Sequence, residues 1–194
     1  MESKNLIICG VGGQGILLAS ELVALVAMEE GYDVKKSEVH GMAQRGGSVV
    51  SHVRIGDKVF SPLIEEGTAD VILAFEKAEA LRWVHYLNPK KGVLIVNDLE
   101  IVPPFVSIGL DEYPKDIEKT LKSIAKEAYF VDGIGLARQA GNERTANVAL
   151  LGVLSNYMPF NEETWIEVIK RRVPPKTIEA NLKAFSLGRN WIAK

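Results

Sequence analysis

Two glycine-rich stretches hold the residues of this chain whose types and spacing suit work on an anion. In the first, Asn5-Leu-Ile-Ile-Cys-Gly-Val-Gly-Gly-Gln-Gly15, a short apolar run ends in four glycines and leads straight into a helical pattern. That is a strand, a tight turn and a helix. Glycines let backbone N–H groups converge on one point, and a helix starting there aims the positive end of its dipole at the same point. Gly10, Gly12 and Gly15 fit Gly-x-Gly-x-x-Gly in the strand-to-helix context that a dinucleotide fingerprint requires, with Gly13 and Gln14 inside the same turn. The same glycines would also serve a turn needed only for close packing of helix on strand. In the second stretch, Ser37 to Arg54, His40 and Arg45 stand in an irregular loop that closes with Gly46-Gly47. An arginine offers a planar fork of donors to phosphate or carboxylate, and paired glycines admit a close backbone. The alternative is that Arg45 pins its own loop to a neighbouring carboxylate.

These residues need a scaffold that brings both stretches to one place, and the order of elements supplies it. The helical pattern Ile16–Met28 is apolar almost all round, which places it deep in the fold or at an interface; Gly31 closes it, and Tyr32–Val39 reads as a second strand, completing a βαβ start. Ser48–Ile55 alternates as a strand with one wetter face, and Gly56-Asp57 reads as the turn of a hairpin returning through Lys58–Phe60. Asp70–Phe75 and Gly92–Asn97 are short apolar runs of the buried parallel kind, joined by a helix over Lys77–Leu87. Phe105–Leu110 reads as a further strand, Pro114–Ala128 as a helix, and Tyr129–Asp132 as a strand. From Gly135 the chain is helical in character, through Asn147–Tyr157, Glu162–Arg171 and Pro175–Leu187. The fold class is therefore α/β: three layers around a mostly parallel, Rossmann-like sheet, with a small antiparallel hairpin excursion and a helical C-terminal segment. One domain over residues 1–194 is expected, because domains commonly span about 100 to 200 residues. In such open sheets ligands gather outside the carboxyl ends of the strands, where both glycine stretches belong.

Composition narrows the chemistry. A net charge of −2, with basic residues interleaved among acids, gives no footprint for nucleic acid. One cysteine, Cys9, cannot form an internal disulfide or supply an iron–sulfur or multi-cysteine zinc site, and it implies a reducing, cytoplasmic setting. No apolar run approaches the roughly 20 residues of a membrane span, and Met1-Glu-Ser-Lys leads into a strand without a signal-type leader.

Several other residues read as structure. Cys9 ends a buried strand and behaves as a small core residue, not a nucleophile. His40 is placed in the site loop, to touch ligand or cap the loop; His52 faces a neighbouring strand; His85 sits on a helix surface. These three histidines are too scattered for a metal site. Asp98 and Asp132 each follow an apolar strand, where a carboxylate binds a ribose or caps the next helix. The candidate binding set is thus Gly10, Gly12, Gly13, Gln14, Gly15, His40, Arg45, Gly46 and Gly47, with no catalytic and no metal-ligating residue.

Gly-Val-Gly-Gly-Gln-Gly-Ile at 10–16, Arg-Gly-Gly at 45–47 and His-Val-Arg at 52–54 together resemble the gamma subunit or domain of 2-oxoacid:ferredoxin oxidoreductases, nearest to the small beta subunit of the indolepyruvate enzymes. The resemblance runs from Asn5 to the last helix, supported by Asp70–Arg82 and Ala146–Gly152. It implies a subunit of a complex that oxidatively decarboxylates a 2-oxoacid, makes an acyl-CoA and passes electrons to ferredoxin. Thiamine diphosphate, magnesium and the Fe–S clusters then belong to partner subunits, and this chain completes the active site from outside, with coenzyme A as a shared ligand. Without its partner the chain would be inactive, and it would form a homodimer or stay alone. Two rival readings remain. A free-standing NAD(P)-dependent oxidoreductase would use Lys35-Lys36-Ser37-Glu38 at the end of the second strand; a nucleotide-sensing or assembly module would bind without a large partner. The nearly all-round apolar first helix, and the Trp165 and Trp191 segments, are either partner surface or core.

Overall fold

Successive residues of Leu6-Ile-Ile-Cys9 point to opposite faces of a strand, and all four are buried, so both faces of this strand must be covered. A computed structural model describes residues 3–40, 46–110 and 112–192, with only the backbone at 104 and 105. The strand is β1 (Lys4–Val11), at the centre of a six-stranded sheet with β2 (Asp33–His40), β3 (Ser48–Gly56), β4 (Val71–Ala74), β5 (Val93–Asn97) and β6 (Glu127–Val131). The order is β2-β3-β1-β4-β5-β6. The pairs β1–β4, β4–β5 and β5–β6 are parallel, whereas β3 runs antiparallel to both β1 and β2. Five strands therefore share one direction and β3 alone opposes them.

Leu6 and Ile8 of β1 join Val71 and Leu73 of β4 in a core beneath α1 (Ile16–Glu29) and the C-terminal helices α6 (Ala146–Ser155), α7 (Glu162–Arg172) and α8 (Ile178–Arg189). Ile7, Cys9, Ile72 and Ala74 face the other way, onto α2 (Lys77–Trp83) and α4 (Ile117–Ile124). Between these, α3 is Pro104–Ser107 and α5 is Gly133–Gln139. Because α1 and α2 leave the sheet on opposite faces, the strand order reverses between β1 and β4, and a crevice opens at their carboxyl ends.

The apolar first helix lies within the fold: it packs on the sheet and on α7, and Trp165 of α7 is fully buried. Its end follows from Gly31 at φ 85°, where Tyr32 N–H reaches the Ala27 carbonyl and Gly31 N–H that of Met28.

Three local expectations are corrected. The reversal after the second strand is the β2–β3 pairing itself, and Lys58–Phe60 forms no strand; Val59 N–H is instead held by the Asp33 carboxylate at 2.9 Å and Phe60 is exposed. Residues 105–110 are not a strand, because Pro104 opens the short helix α3. The crossover β1–α1–β2 is parallel in sense but skips a position, since β3 inserts between its two strands.

Candidate functional site

Each glycine of the first turn answers a separate demand. At Gly10 a Cβ would stand 2.7 Å from Gln14 Oε1 and 2.8 Å from Phe75 Cβ, so the turn closes against the end of β4 only without one. Gly13 and Gly15 have φ of 105° and 84°, the left-handed region, and a Cβ on Gly15 would stand 2.7 Å from Asn147 Nδ2. Nothing crowds Gly13, which faces open space. Gln14 is committed on both ends: Val11 N–H donates to its Oε1 at 2.7 Å, and its Nε2 donates to the Phe75 carbonyl at 2.9 Å. It thereby clips β1 to β4 on either side of the crevice.

The second stretch meets the first directly. Gly12 N–H donates to the Gly47 carbonyl at 2.8 Å, and Gly46 N–H to the Gly12 carbonyl at 3.3 Å. The start of β3 is fixed from below, where the Ser48 hydroxyl donates to the buried Glu79 carboxylate, which also accepts from Trp83 Nε1 and Arg82 Nε. His40 is exposed at the end of β2, in register with Val49. The structure thus brings Gly10, Gly12, Gly13, Gln14, Gly15, Gly46 and Gly47 to one end of the sheet, with His40 at the same end. Arg45 lies outside the described residues.

Beside the turn is a cavity of about 390 Å³ that reaches from Gly13 and Gly15 to Asn97, Arg144 and Asn147 and is walled by Phe75, Ile101, Ile134 and Leu150. Arg144 and Asn147 escaped the sequence reading. Asn147 belongs to the Ala146–Gly152 segment that supported the resemblance, yet no motif marks it; only the glycine opposite it, Gly15, hints at something pressed close.

With that geometry in hand, comparison with known proteins places the chain. The family model described as pyruvate ferredoxin/flavodoxin oxidoreductase matches residues 5–191. The chain belongs to this family. It is 47% identical, over 196 residues, to indolepyruvate oxidoreductase subunit IorB of Thermococcus kodakarensis, covering 97% of this chain and 95% of the relative. Its fold superposes with a TM-score of 0.70 on the gamma subunit of a keto/oxoacid ferredoxin oxidoreductase from Geobacter sulfurreducens, at 24% identity and 95% coverage of both chains. A TM-score of 0.74 at 22% identity relates it to a 2-oxoglutarate:ferredoxin oxidoreductase from Magnetococcus marinus with 2-oxoglutarate, coenzyme A and succinyl-CoA bound, where it covers 97% of this chain but 31% of that longer one.

In this member of the pyruvate ferredoxin oxidoreductase family the remaining polar candidates serve the scaffold. Asp132 caps α5, accepting from Gly135 N–H at 2.7 Å. Asp98 is paired with Lys77 at 2.5 Å, and that carboxylate raises the lysine's pKa. Glu38, the residue an NAD enzyme would use, accepts from Lys36 and Ser20 and stands on β2, separated from the glycine turn's strand by β3. Cys9 is fully buried; burial, with Glu79 and Glu76 nearby, pushes its thiol pKa up and keeps it protonated. Glu76, 1% exposed, caps α2 through Glu79 N–H and accepts from Ile101 N–H and the Tyr113 hydroxyl, which burial and this carboxylate hold protonated. It ties the segment over the cavity to the sheet. No helix among the described residues is long and apolar enough to cross a membrane.

Proposed function

We propose that this chain is the small, cofactor-free subunit of a cytoplasmic 2-oxoacid:ferredoxin oxidoreductase of the indolepyruvate type. It seats against a larger subunit that carries thiamine diphosphate, magnesium and iron–sulfur clusters. The observation that carries this reading is the 47% identity, along nearly the whole length of both chains, with an indolepyruvate oxidoreductase subunit, taken with a glycine turn hydrogen-bonded to Gly46-Gly47 at the carboxyl edge of the sheet. The donor chemistry agrees: a single cysteine, buried inside the sheet, cannot ligate a cluster, so electron carriers belong to the partner. Thiamine diphosphate held there supplies the carbanion-stabilising chemistry. The work left to this chain is to bind and orient: glycine N–H groups and Arg45 hold coenzyme A by its phosphates, and the body of the subunit excludes water from the acyl-transfer step.

The test is reconstitution. Co-purified under anaerobic conditions with its partner, the chain restores 2-oxoacid- and CoA-dependent reduction of ferredoxin and has no such activity alone. Arg45→Ala in the complex raises KM for CoA about tenfold, the loss of one charge-assisted hydrogen bond, and leaves kcat nearly unchanged. An unchanged KM removes Arg45 from the site. A lone chain that binds NAD(P) and recruits no partner overturns the subunit reading.

A further inference from the structure

An open sheet ends in two edge strands, each presenting a row of N–H and C=O groups to any strand brought alongside, unless its side chains forbid the approach. The two edges of this sheet, β2 and β6, are built differently. Along β2 run two ion pairs, Lys35–Asp33 and Lys36–Glu38, each at 2.5 Å. A strand laid beside β2 would have to accommodate all four charges, which is how an edge is kept from pairing. The middle of β6, Ala128-Tyr-Phe-Val131, carries no charge at all. Ala128, Tyr129 and Phe130 are half-buried, and a cavity of about 370 Å³ opens beside them, lined by Lys122 and Phe130 and by Tyr129 and Trp191. Ile124 and Ile192, both exposed, extend its apolar rim.

Which backbone groups β6 offers follows from its pairing with β5. Asp98 N–H donates to the Val131 carbonyl at 2.8 Å, so Val131, and with it Tyr129 two residues earlier, turns its N–H and C=O towards β5. Ala128 and Phe130 therefore turn theirs outward. Among the described residues no other segment's backbone bonds to them there. Lys126 and Asp132 stand at the two ends of the strand, both exposed, and Asp132 uses one carboxylate oxygen to cap α5. By alternation both belong to the face that carries Ala128 and Phe130.

We propose that β6 is the contact between two copies of this chain, paired antiparallel about a twofold axis through Tyr129. Hydrogen-bonded strands related by a twofold axis run antiparallel, and the register that overlaps all of β6 sets Ala128 opposite Phe130 of the other copy and Tyr129 opposite itself. Ala128 and Phe130 are the residues whose backbone faces outward, so each opposed pair exchanges both of its N–H···O=C bonds, and Tyr129 falls at the close position between them. The same register sets Lys126 against Asp132 of the other copy, on one face and twice by symmetry. Opposite charges and an aromatic pair at directly opposed positions both favour cross-strand pairing. Sliding one copy by two residues keeps the backbone phase but leaves Lys126 facing Phe130, or Asp132 facing Ala128. This edge is thus complementary to itself in backbone phase and in charge, which selects a second copy as its occupant. The product is one continuous sheet, six strands from each copy. The glycine turn, after β1, lies three strand positions away and stays open to a larger subunit, so the contact does not depend on the proposed function.

The experiment is sedimentation of the full-length chain over a range of concentrations, in which the mean mass rises from 21.3 kDa towards twice that value. Ala128→Pro removes an outward N–H and leaves the β5 ladder intact, so the variant keeps its circular dichroism and remains at 21.3 kDa. Lys126→Glu weakens association at least about tenfold by setting like charges against each other, and adding Asp132→Asn, which still caps α5, recovers part of the loss. Tyr129→Cys lies on the axis, where opposed Cα atoms approach to about 4.5 Å, and forms a disulfide between copies under mild oxidation. The native chain, with only the buried Cys9, forms none. A chain that stays monomeric at every concentration overturns the proposal, as does a dimer that Ala128→Pro leaves unchanged. Should Ala128→Pro fail to fold, the cross-link decides: a dimer that Tyr129→Cys does not link is built on another surface. If the amides of Ala128 and Phe130 gain protection from hydrogen exchange only when the larger subunit is added, the edge belongs to that subunit and the proposal falls.

Discussion

His52 carries a demand that its sequence position hides. It lies on β3 with 7% exposure, its ring edge-on to Tyr86 at 5.4 Å between centroids, and its Nδ1 accepts from Ile64 N–H at 3.3 Å. The acceptor role requires an unprotonated Nδ1, and burial lowers the imidazole's pKa from its ordinary 6.5. The unfolded chain therefore takes up this proton at a higher pH than the folded one. Stability from His52 is complete above about pH 6.5 and declines as pH falls from there towards the folded value. Glu21 and Glu30 are also perturbed, but their pKa values are lowered from 4.5, by Arg172 and by Thr164, so their contribution is lost only in more acid solution. Urea midpoints measured between pH 7.5 and 5.5 should fall with pH, and His52→Asn should flatten that slope; a midpoint that ignores pH across this window, or one whose slope survives the substitution, contradicts the assignment. Gln14 shows the same economy at neutral charge. It sits in the fingerprint as though to greet a ligand, yet both ends of its amide hold backbone, and the turn keeps its shape because of it.

At the scale of elements, much was legible because it is local. Continuous apolar runs marked β1, β4 and β5, three-to-four spacing marked the helices, and glycine after α1 marked its end. What the sequence hid is non-local. That β3 inserts between β1 and β2 is a matter of pairing across the sheet, and no residue of Ser48–Gly56 declares its neighbours. Gly56-Asp57 looked like a hairpin turn, but three residues after it could not bury enough to pair. Arg144 and Asn147 were missed because no residue around them declares that α6 begins beside Gly15. One contact hidden in the same way decides how α6 meets α8. A Cβ on Gly188 would stand 1.8 Å from the Ala149 carbonyl oxygen, and one on Gly152 2.2 Å from that of Phe185. Both obstacles are backbone and cannot swing aside. Gly188→Ala should therefore cost about 3 kcal/mol of unfolding free energy by forcing the helices apart, although alanine favours helix over glycine by about 1 kcal/mol. Denaturant unfolding of the variant checks this, and a gain in stability would show that the helices do not pack so closely.

For the whole molecule, the segment from Gly133 onward is both cover and contributor to the site. One face of the sheet, with Leu6, Ile8, Val71, Leu73 and Ile95, is roofed by α1 together with Leu150, Leu151, Leu154, Trp165 and Phe185 of the C-terminal helices. Neither half has another way to bury these residues. Outer contacts add orientation more than energy: Arg171 with Glu29 and Arg172 with Glu21 join α7 to α1 across exposed surface, where an ion pair contributes about 0 to 1 kcal/mol. The apolar roof is what couples the segments, since burying one large side chain is worth about 1.5 to 3 kcal/mol. The same segment carries the N-terminus of α6 to the glycine turn, so a chain lacking it would lose half of the cavity wall along with its core. The expectation is a single cooperative unit over the whole chain. A fragment ending at Asp132 should show no cooperative unfolding transition and should bind a hydrophobic dye, while the full chain should unfold in one step seen alike by Trp fluorescence and by circular dichroism. A fragment that melts cooperatively would mean that the C-terminal helices are an attached module. In that case the glycine turn would have to keep its shape without Asn147 pressed against Gly15.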